Sequence, residues 1–199
     1  MSALFKLTYG LYMLSAKFED KESGCIVNTV MQQTAMPETV SVTVNKQNYT
    51  TDLIDKSNRC VINILDESTP FEFFKNFGMK SGREGNKFES VETMLVDGIK
   101  TNVNNSAGYI ALEIERKIDM GTHYLFVGKI IDSQANEGKE PVTYAYYHKN
   151  IKPKPQVSTQ SSEETWVCTI CNYVHKGPIP DDFICPICKH GKKDFKMVK

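Results

Sequence analysis

The sequence lacks long apolar runs and any excess of one charge, and both absences exclude classes of protein. Its 24 basic and 24 acidic residues give a formal net charge of zero, which provides no indication of binding to nucleic acid or to an anionic membrane. No stretch approaches the about 20 consecutive apolar residues of a membrane-spanning helix. Residues 1–6 lack the basic start and continuous apolar core of a signal peptide. We therefore expect a cytoplasmic protein.

The polar residues show neither a general acid–base pair nor a nucleophilic triad, and the chain shows no internal repeat. Mechanisms that depend on side chains alone are therefore not indicated. If the protein is an enzyme, bound cofactors would supply the reaction chemistry, and the chain would supply position and electrostatics.

Cysteine, by contrast, is arranged in a pattern that indicates a metal. Four of the six cysteines form two Cys-x-x-Cys pairs with thirteen residues between them: Cys168, Cys171, Cys185 and Cys188. A two-residue gap lets a tight turn direct both sulfurs to one point, and two such turns form a tetrahedral cage that suits zinc or a single iron. Cys25 and Cys60 lie in apolar, strand-like runs, where we expect buried, unreactive thiols rather than a disulfide.

Length and composition predict two domains joined by a linker. Residues 1–150 are enough to bury a core of their own, whereas residues 165–199 are too few and need a staple such as a metal. Between them, residues 151–164 contain Lys-Pro-Lys-Pro and then Ser, Thr, Gln and Glu, with almost no apolar residues. This composition is typical of a flexible linker.

The first domain shows the pattern of short strands with few helices. We expect strands over 11–18, 25–34, 40–44 and 60–65, with a polar turn at 19–24. Helices are expected over 51–56 and 70–77. Residues 107–118 and 121–131 are expected to form a long hairpin, and an aromatic cluster follows at 142–147. The pattern predicts a barrel-like β-domain with small helical insertions.

The residues around the cysteine pairs resemble the rubredoxin family. The matching features are the aromatic Trp166 two residues before the first ligand, Tyr173 after the first pair, Cys185-Pro186 at the third ligand and a closing Phe195. The short interval between the pairs is similar to that of the compact version at the C-terminus of rubrerythrins. The resemblance implies iron, and a structural zinc ribbon stays the alternative.

Two positions depart from the rubredoxin pattern, which usually has Gly after the second and fourth ligands. This chain has Asn172 and Lys189 at those places. Asn adopts a left-handed backbone conformation well, whereas Lys does so with strain. The departures leave the cage intact but bear on its redox potential, because backbone donors to sulfur help to set that potential.

Most of residues 1–148 resemble the flavin reductase-like family, an FMN-binding split β-barrel. The matching segments occur in the family's order, and they are 9–12, 24–34, 42–46, 81–83 with 87–88, 121–128 and 144–148. The resemblance implies a mainly β fold, an FMN cofactor and a homodimer with FMN near the subunit interface. The whole chain is thus expected to be a split β-barrel followed by a small, rubredoxin-like metal ribbon.

The same resemblance implies a set of cofactor contacts. Four residues would present partners to the polar edge of the isoalloxazine ring: Asn28, Thr29, Gln33 and Thr34. The loop before the first long helix offers a cation, amides and hydroxyls for a phosphate at the helix N-terminus, and these residues are Asn45, Lys46, Asn48, Tyr49 and Thr50. Without the resemblance, this loop would be interpreted as an ordinary polar connection.

Two further features leave alternatives open. Ser81, Arg83 and Lys87 form a second cationic loop, which could hold the FMN phosphate, contact a nicotinamide dinucleotide or simply be solvated. The family pattern places His123 close to the flavin and the incoming nicotinamide, where it would be catalytic. A structural histidine is the alternative at that position.

A flavin reductase-like domain followed by a rubredoxin domain resembles the high-molecular-weight rubredoxins of anaerobes. The resemblance implies an oxidoreductase that passes electrons from NAD(P)H through FMN to the four-cysteine iron centre. The expected acceptor is a protein such as a flavodiiron protein that reduces NO or O2. Two other hypotheses remain: a flavin reductase that supplies reduced flavin, and a non-catalytic flavin-binding module with a structural zinc ribbon.

Overall fold

The computed structural model describes residues 3–153, 164–170, 173–185 and 190–198. The chain divides into two compact units, Met1–Ile151 and Lys152–Lys199. Within the described ranges, no helix combines the length and the apolar character that crossing a membrane requires.

The first unit is built on one seven-stranded antiparallel sheet. In chain order its elements are a 3-10 turn Ala3–Lys6, β1 Tyr12–Phe18, β2 Lys21–Val27, β3 Val30–Ala35, β4 Glu38–Asn45, α1 Tyr49–Ser57, β5 Arg59–Leu65, α2 Phe71–Met79, a 3-10 turn Lys87–Ser90, β6 Thr93–Val96, β7 Ile99–Asn102, β8 Ser106–Asp119, β9 His123–Ala135 and a helical segment Tyr144–Ile151. The sheet order is β2-β1-β5-β8-β9-β4-β3, and β6 and β7 form a separate hairpin.

The sheet curls because its two edge strands are consecutive in the chain. β2 and β3 lie at opposite edges, yet Asn28 and Thr29 alone connect them. Three peptide steps span at most about 11 Å, so the edges must approach each other at this point. The result is a barrel that is split between β2 and β3, which confirms the predicted mainly β fold.

The barrel interior is filled by one face of each strand together with α1. Val40, Val42 and Val44, at alternate positions of β4, are each at most 3% exposed, and the strand predicted over 40–44 is confirmed. Leu53 and Ile54 of α1 enter the same core. A second cluster beneath α2 is rich in rings, with Phe73, Phe74, Phe77, Phe88 and Tyr147 all buried.

The β1–β2 connection differs from the expectation of a polar turn over 19–24. Phe18 pairs directly with Lys21, so the turn is limited to Glu19 and Asp20, and Glu19 adopts a positive φ of 57°. The polar residues Glu22 and Ser23 continue the strand because they pair with β1. The single strand expected over 25–34 is also wrong, since the chain leaves β2 at Val27 and enters β3 at Val30.

The predicted long hairpin is confirmed as β8 and β9. Asp119 pairs with Tyr124, and the turn contains Gly121 at a φ of +82°. This is the left-handed region, which Gly adopts without steric cost. The predicted helices are confirmed as well. α1 extends beyond the expected residues at both ends, whereas α2 begins one residue later, with Pro70 as its N-cap, and ends at Met79.

The second unit is a small three-stranded sheet around a compact core. Its strands are β10 Thr165–Cys168, β11 Val174–Lys176 and β12 Phe195–Val198, in the antiparallel order β11-β10-β12. Its buried core contains Cys168, Ile179, Cys185 and Phe195. Most of the predicted linker, residues 154–163, lies outside the described residues.

The thiols of Cys25 and Cys60 are free and buried inside the barrel, at 5% and 1% exposure. The interpretation as buried thiols rather than a disulfide is therefore confirmed. Burial raises the pKa of Cys25 to about 11 and that of Cys60 to about 12, because a thiolate is poorly solvated in an apolar core.

The pKa of Cys60 predicts an alkaline loss of stability. An unfolded thiol titrates near pH 8.5, so the folded state holds more protons than the unfolded state between that pH and about 12. The stabilisation that comes from the raised pKa of Cys60 is complete below the pKa of the unfolded thiol, and it is lost as the pH rises toward the pKa in the folded state. We expect the free energy of unfolding to fall more steeply with pH in the wild type than in Cys60→Ala.

Denaturant unfolding of both proteins from pH 7 to pH 10.5 or so measures this difference in slope. The cavity left by Cys60→Ala lowers stability at every pH and so changes the offset rather than the slope. Parallel curves for the two proteins would contradict the prediction.

Candidate functional site

A cleft of about 360 Å³ lies where residues 28–29 connect β2 to β3. Its walls come from the end of β2, the connection itself, β4 and the residues that follow it, and the β8–β9 turn. The lining residues are Ile26, Val27, Asn28, Thr29, Thr43, Asn45, Asn48, Met120, His123 and Leu125. A cleft of this size, where four apolar and six polar side chains converge, is typical of a small-molecule site.

The first wall is fixed by a reciprocal pair of hydrogen bonds. The amide of Thr43 donates to the Thr29 carbonyl at 3.1 Å, and Thr29 Oγ1 donates to the Thr43 carbonyl at 3.2 Å. The pair continues the β3–β4 ladder into the connection and holds Asn28 at the cleft. Asn28 and Thr29, two of the predicted flavin contacts, therefore line the cleft, as does Thr43, which was not predicted.

The second wall is the loop 45–48 between β4 and α1. Asn45 Oδ1 accepts from the Gln47 amide at 2.9 Å, and the Asn45 carbonyl accepts from the Asn48 amide at 3.0 Å and from Thr51 Oγ1 at 2.7 Å. Asn48 is the N-cap residue of α1, but its side chain makes no capping hydrogen bond. Asn48 lines the cleft, and its side chain makes a hydrogen bond with the Cys25 thiol.

The third wall is the β8–β9 turn together with His123. The Met120 amide donates to the His123 carbonyl at 2.9 Å, and the Lys46 amide donates to the Thr122 carbonyl at 3.1 Å. His123 Nδ1 lies 2.8 Å from Thr122 Oγ1, which restrains the ring. His123 is also the strand partner of Asn45, so two predicted site residues from distant parts of the chain meet here.

An exposed charge cluster lies beside the cleft. Lys46 Nζ is 2.6 Å from Asp119 Oδ1, and it lies 4.5 Å from the centre of the Tyr124 ring. Hydrogen bonds from Lys46 and from the Gly121 amide lower the pKa of the Asp119 carboxyl. Lys46, one of the residues predicted to contact a phosphate, is therefore paired with a carboxylate in this structure.

The first turn of α1 holds two more predicted residues, but neither lines the cleft. Thr50 is buried, with Oγ1 3.4 Å from Ser23 Oγ. The Tyr49 ring lies under the guanidinium of Arg83, with the Arg83 Cζ 5.1 Å from the ring centre. Ser81 Oγ accepts from the Arg83 amide at 3.2 Å, so Ser81 shapes the loop that carries Arg83.

Lys87 is positioned away from the cleft. Its side chain is buried, and Nζ donates to the Gly24 carbonyl at 2.9 Å and to the Phe77 carbonyl at 3.1 Å. Burial lowers the pKa of this ammonium. Because Phe77 lies near the C-terminal end of α2, Lys87 joins that helix end to β2. The contacts of Lys87 therefore hold the fold together.

Gln33 and Thr34 also lie apart from the cleft. Gln33 Nε2 donates to Ser41 Oγ at 2.9 Å, and Thr34 Oγ1 lies 2.6 Å from Thr39 Oγ1. Both residues are exposed on β3, which runs along the sheet edge away from the connection. The expectation grouped them with Asn28 because all three residues belong to the family-like segment 24–34.

The second unit brings two predicted metal ligands into one core. Cys168 and Cys185 are each 0% exposed and belong to the same buried cluster. The Cys168 amide donates to the Tyr173 carbonyl at 2.9 Å, and the Cys185 amide donates to the His190 carbonyl at 2.8 Å. Each loop that begins with one of these cysteines is therefore closed by an equivalent hydrogen bond, from the cysteine amide to the carbonyl of the fifth residue after it.

This shared closure fits two equivalent loops that direct their sulfurs to one ion. Cys171 and Cys188, the second cysteine of each pair, lie outside the described residues, as do Asn172, Pro186 and Lys189. The donor set of the sequence is four thiolates, which suits iron or zinc. The buried Cys168 and Cys185 are compatible with that set.

Comparison with known families agrees with both units. The chain matches the family model "Flavin reductase like domain" over residues 4–154 and the model "Rubrerythrin, rubredoxin-like domain" over residues 166–196. The first match covers most of the chain, and the chain therefore belongs to the flavin reductase-like family of oxidoreductases.

Two relatives are similar over most of their length. "High molecular weight rubredoxin" from Moorella thermoacetica is 34% identical over 98% of this chain and 98% of its own. "Ferric-chelate reductase (NAD(P)H)" from Archaeoglobus fulgidus is 33% identical over 80% of this chain and 95% of its own. The likeness to high-molecular-weight rubredoxins that the sequence predicted is thereby confirmed.

Solved structures share the fold of the first unit. The NADH:FAD oxidoreductase of Streptomyces globisporus C-1027 superposes with a TM-score of 0.64 at 15% identity, covering 69% of this chain and 81% of its own. The FMN-binding protein from Thermus thermophilus gives 0.60 at 20% identity, covering 66% and 73%. These similarities support the split-barrel architecture.

The second unit yields a prediction about metal content. Cys185→Ser removes one thiolate from a four-thiolate cage, and a domain this small depends on its metal to fold. We expect the metal bound per chain to fall several-fold while the first unit stays folded. Elemental analysis and thermal unfolding measure the two quantities.

Cys25→Ala is the matched control, because it removes a buried thiol from the barrel rather than from the metal unit. Its metal content should equal that of the wild type. Undiminished metal in Cys185→Ser would remove this residue from the ligand set.

Proposed function

We propose that the chain passes electrons from NAD(P)H, by way of FMN in the cleft, to one iron held by four cysteines, and then to an external protein acceptor. The single observation that carries the proposal is the combination in one chain of a flavin reductase-like barrel with a four-cysteine unit. A flavin-binding barrel without the metal unit would pass its electrons directly to an exchangeable small-molecule acceptor. The added metal unit supplies a site of one-electron transfer.

The cleft residues support a flavin as the bound group. The amides of Asn28, Asn45 and Asn48 would provide hydrogen-bond donors and acceptors for the polar edge of an isoalloxazine ring. Ile26, Val27 and Leu125 would cover its apolar face. When bound, flavin accepts a hydride and thiolate-bound iron exchanges single electrons, and these two reactions are what the cofactors would supply.

The phosphate of FMN would lie toward the loop 45–48 and the start of α1. The first backbone amides of a helix lack intrahelical partners, so this end attracts an anion. Lys46 is close by, although it is paired with Asp119. FMN as the flavin is supported by the FMN-binding protein from Thermus thermophilus, which shares the fold. The NADH:FAD oxidoreductase with the same fold makes FAD the alternative.

His123 would act at the nicotinamide. It lines the cleft beside Met120, and its contact with Thr122 restrains the ring toward one orientation. In that position the imidazole would orient the incoming nicotinamide over the flavin or hold a proton near it. The name of the Archaeoglobus relative supports NAD(P)H as the electron donor.

A homodimer and a protein acceptor complete the proposal. β3 and the distal halves of β8 and β9 are exposed, and they present Met31, Ile118 and Ile131 at 66%, 45% and 37% exposure. Covering these three exposed apolar side chains would favour association with a second copy. A flavodiiron-type protein is the acceptor that we propose for the iron.

A second candidate function is reduction of a small exchangeable acceptor, such as a ferric chelate or a free flavin. It is favoured by the ferric-chelate reductase, which aligns with 80% of this chain. In that case the four-cysteine unit would hold zinc and would serve structure alone.

Absorption spectra of the purified protein separate the two candidates. We expect flavin bands together with ferric–thiolate bands, and FMN as the flavin released on denaturation. Under anaerobic conditions, NADH or NADPH should bleach the flavin first and the ferric–thiolate absorption next. Flavin that bleaches while the iron stays ferric would refute the relay, and zinc in place of iron would favour the second candidate.

The Cys185→Ser protein is the control for this titration. Its flavin should still be reduced by the nicotinamide, because the barrel holds the flavin without help from the metal unit. Loss of flavin reduction in this variant would show that the two units do not work separately.

Lys46→Ala tests the proposed phosphate position. Removing one exposed cation beside the phosphate should weaken FMN retention by about threefold to tenfold, measured as flavin lost on gel filtration and as Kd by fluorescence. Lys117→Ala is the matched control, because Lys117 also lies over the Tyr124 ring, at 4.4 Å, but pairs with Asp55. Equal retention in the two variants would remove Lys46 from the phosphate site.

A further inference from the structure

Arg83 makes three contacts with one short stretch of chain, residues 47–52. Nη1 donates to the Gln47 carbonyl at 3.1 Å, Nη2 pairs with the Asp52 carboxylate, and the guanidinium lies over the Tyr49 ring at 5.1 Å. From this geometry we infer that Arg83 is a positioning residue that fixes the loop 45–48 as a wall of the cleft, and that it is not a ligand of the flavin phosphate. The inference rests on the proposed flavin site.

The contacts join the loop and the first turn of α1 to one rigid group. Gln47 lies within the loop, whereas Tyr49 and Asp52 belong to the first turn of α1. A planar guanidinium offers several donors in a fixed arrangement and stacks on aromatic rings. One side chain therefore sets the angle at which the chain leaves Asn45 and enters α1, and with it the positions of Asn45 and Asn48 at the cleft.

The loop that carries Arg83 is itself firmly seated. A Cβ at Gly82 would lie 2.1 Å from Ser23 Oγ and 3.3 Å from the Tyr49 ring, so the backbone packs closely on β2 and α1. A few residues later, buried Lys87 is held by two carbonyls. Arg83 thus extends from a fixed base rather than from a loose loop.

The charges favour positioning over direct binding. The Arg83 guanidinium is engaged with Asp52, and their side chains are 48% and 42% exposed. A ligand role would require this pair to break or to share its charge with a phosphate. An exposed ion pair also contributes little to global stability. The effect of Arg83 should therefore be local, on the fraction of molecules whose cleft wall is correctly placed.

Flavin affinity with two probes tests the inference. FMN and riboflavin share the ring, but riboflavin has no phosphate. If Arg83 positions the wall, Arg83→Ala should weaken both probes by the same factor, about tenfold if the competent population falls to a tenth. A loss confined to FMN would show a phosphate ligand and overturn the inference, as would unchanged affinity for both probes.

Arg83→Lys gives an arm that uses FMN alone. Lysine keeps the positive charge but not the fork or the stacking, so positioning predicts weakening close to that of Arg83→Ala. Wild-type affinity in Arg83→Lys would overturn the inference. Lys75→Ala is the matched control, since it removes an exposed cation from α2 that pairs with Glu72; its affinity for FMN should not change.

A mutant cycle with riboflavin tests the Asp52 partner without interference from the phosphate charge. Asp52→Asn should weaken riboflavin binding in the same direction, and Arg83→Ala/Asp52→Asn should cost no more than Arg83→Ala. Additive losses would overturn the shared mechanism. Thermal unfolding of each apo-variant should stay near the wild type, which separates local ordering from global unfolding.

The outcomes separate this inference from the proposed function. A wild type that binds no flavin refutes both. A wild type that binds flavin, but whose affinity does not depend on Arg83, refutes the positioning role alone. The nicotinamide titration described above remains valid in that case.

Discussion

The structure of the first unit depends on the short connection between β2 and β3. A two-residue link between opposite sheet edges is possible only if the sheet curls, and this closure creates the core and the cleft together. Asn28 and Thr29 then lie at the split, opposite residues from β4 and the β8–β9 turn. The cleft is thus a result of how the barrel closes and needs no inserted domain.

A different constraint governs the second unit. Its described core consists of two cysteines, one isoleucine and one phenylalanine, with partly buried rings around them. Such a core is too small to stabilise a fold by apolar burial alone. The two equivalent loop closures place Cys168 and Cys185 in the same interior, so the metal that balances their charge would also complete the fold. Electron transfer and folding would therefore depend on the same four thiols.

The sequence predicted the elements that have strong local signals. The strand over 40–44, the hairpin before and after Gly121, and the spacing of the cysteine pairs all depend on residues close together in the chain. It failed where tertiary pairing decides, as at Glu22 and Ser23, which are polar but continue a strand. Thr43, Met120 and Leu125 carry no chemical motif, so only strand register could place them at the cleft.

The candidate site was predicted only in part, again because tertiary pairing decides which residues meet. Asn28, Thr29, Asn45 and His123 were named from family segments and Asn48 from the polar loop before α1, and the structure brings these five together. Gln33 and Lys87 were named from the same segments but lie elsewhere, because proximity in sequence does not determine which face a side chain takes. Arg83 was recognised as a cation, whereas its partners at Gln47, Tyr49 and Asp52 required coordinates.

The pairing of Asn45 with His123 has a consequence for how this region can change. Side chains alternate between the two faces of a strand, so His123 and Phe126, three positions apart, face opposite sides of β9. A one-residue insertion between them would place both on the same side. Phe126 is fixed in the core at 1% exposure, so the imidazole would turn out of the cleft while the barrel survived. A change of length at this end of β9 is therefore compatible with the fold but not with the site.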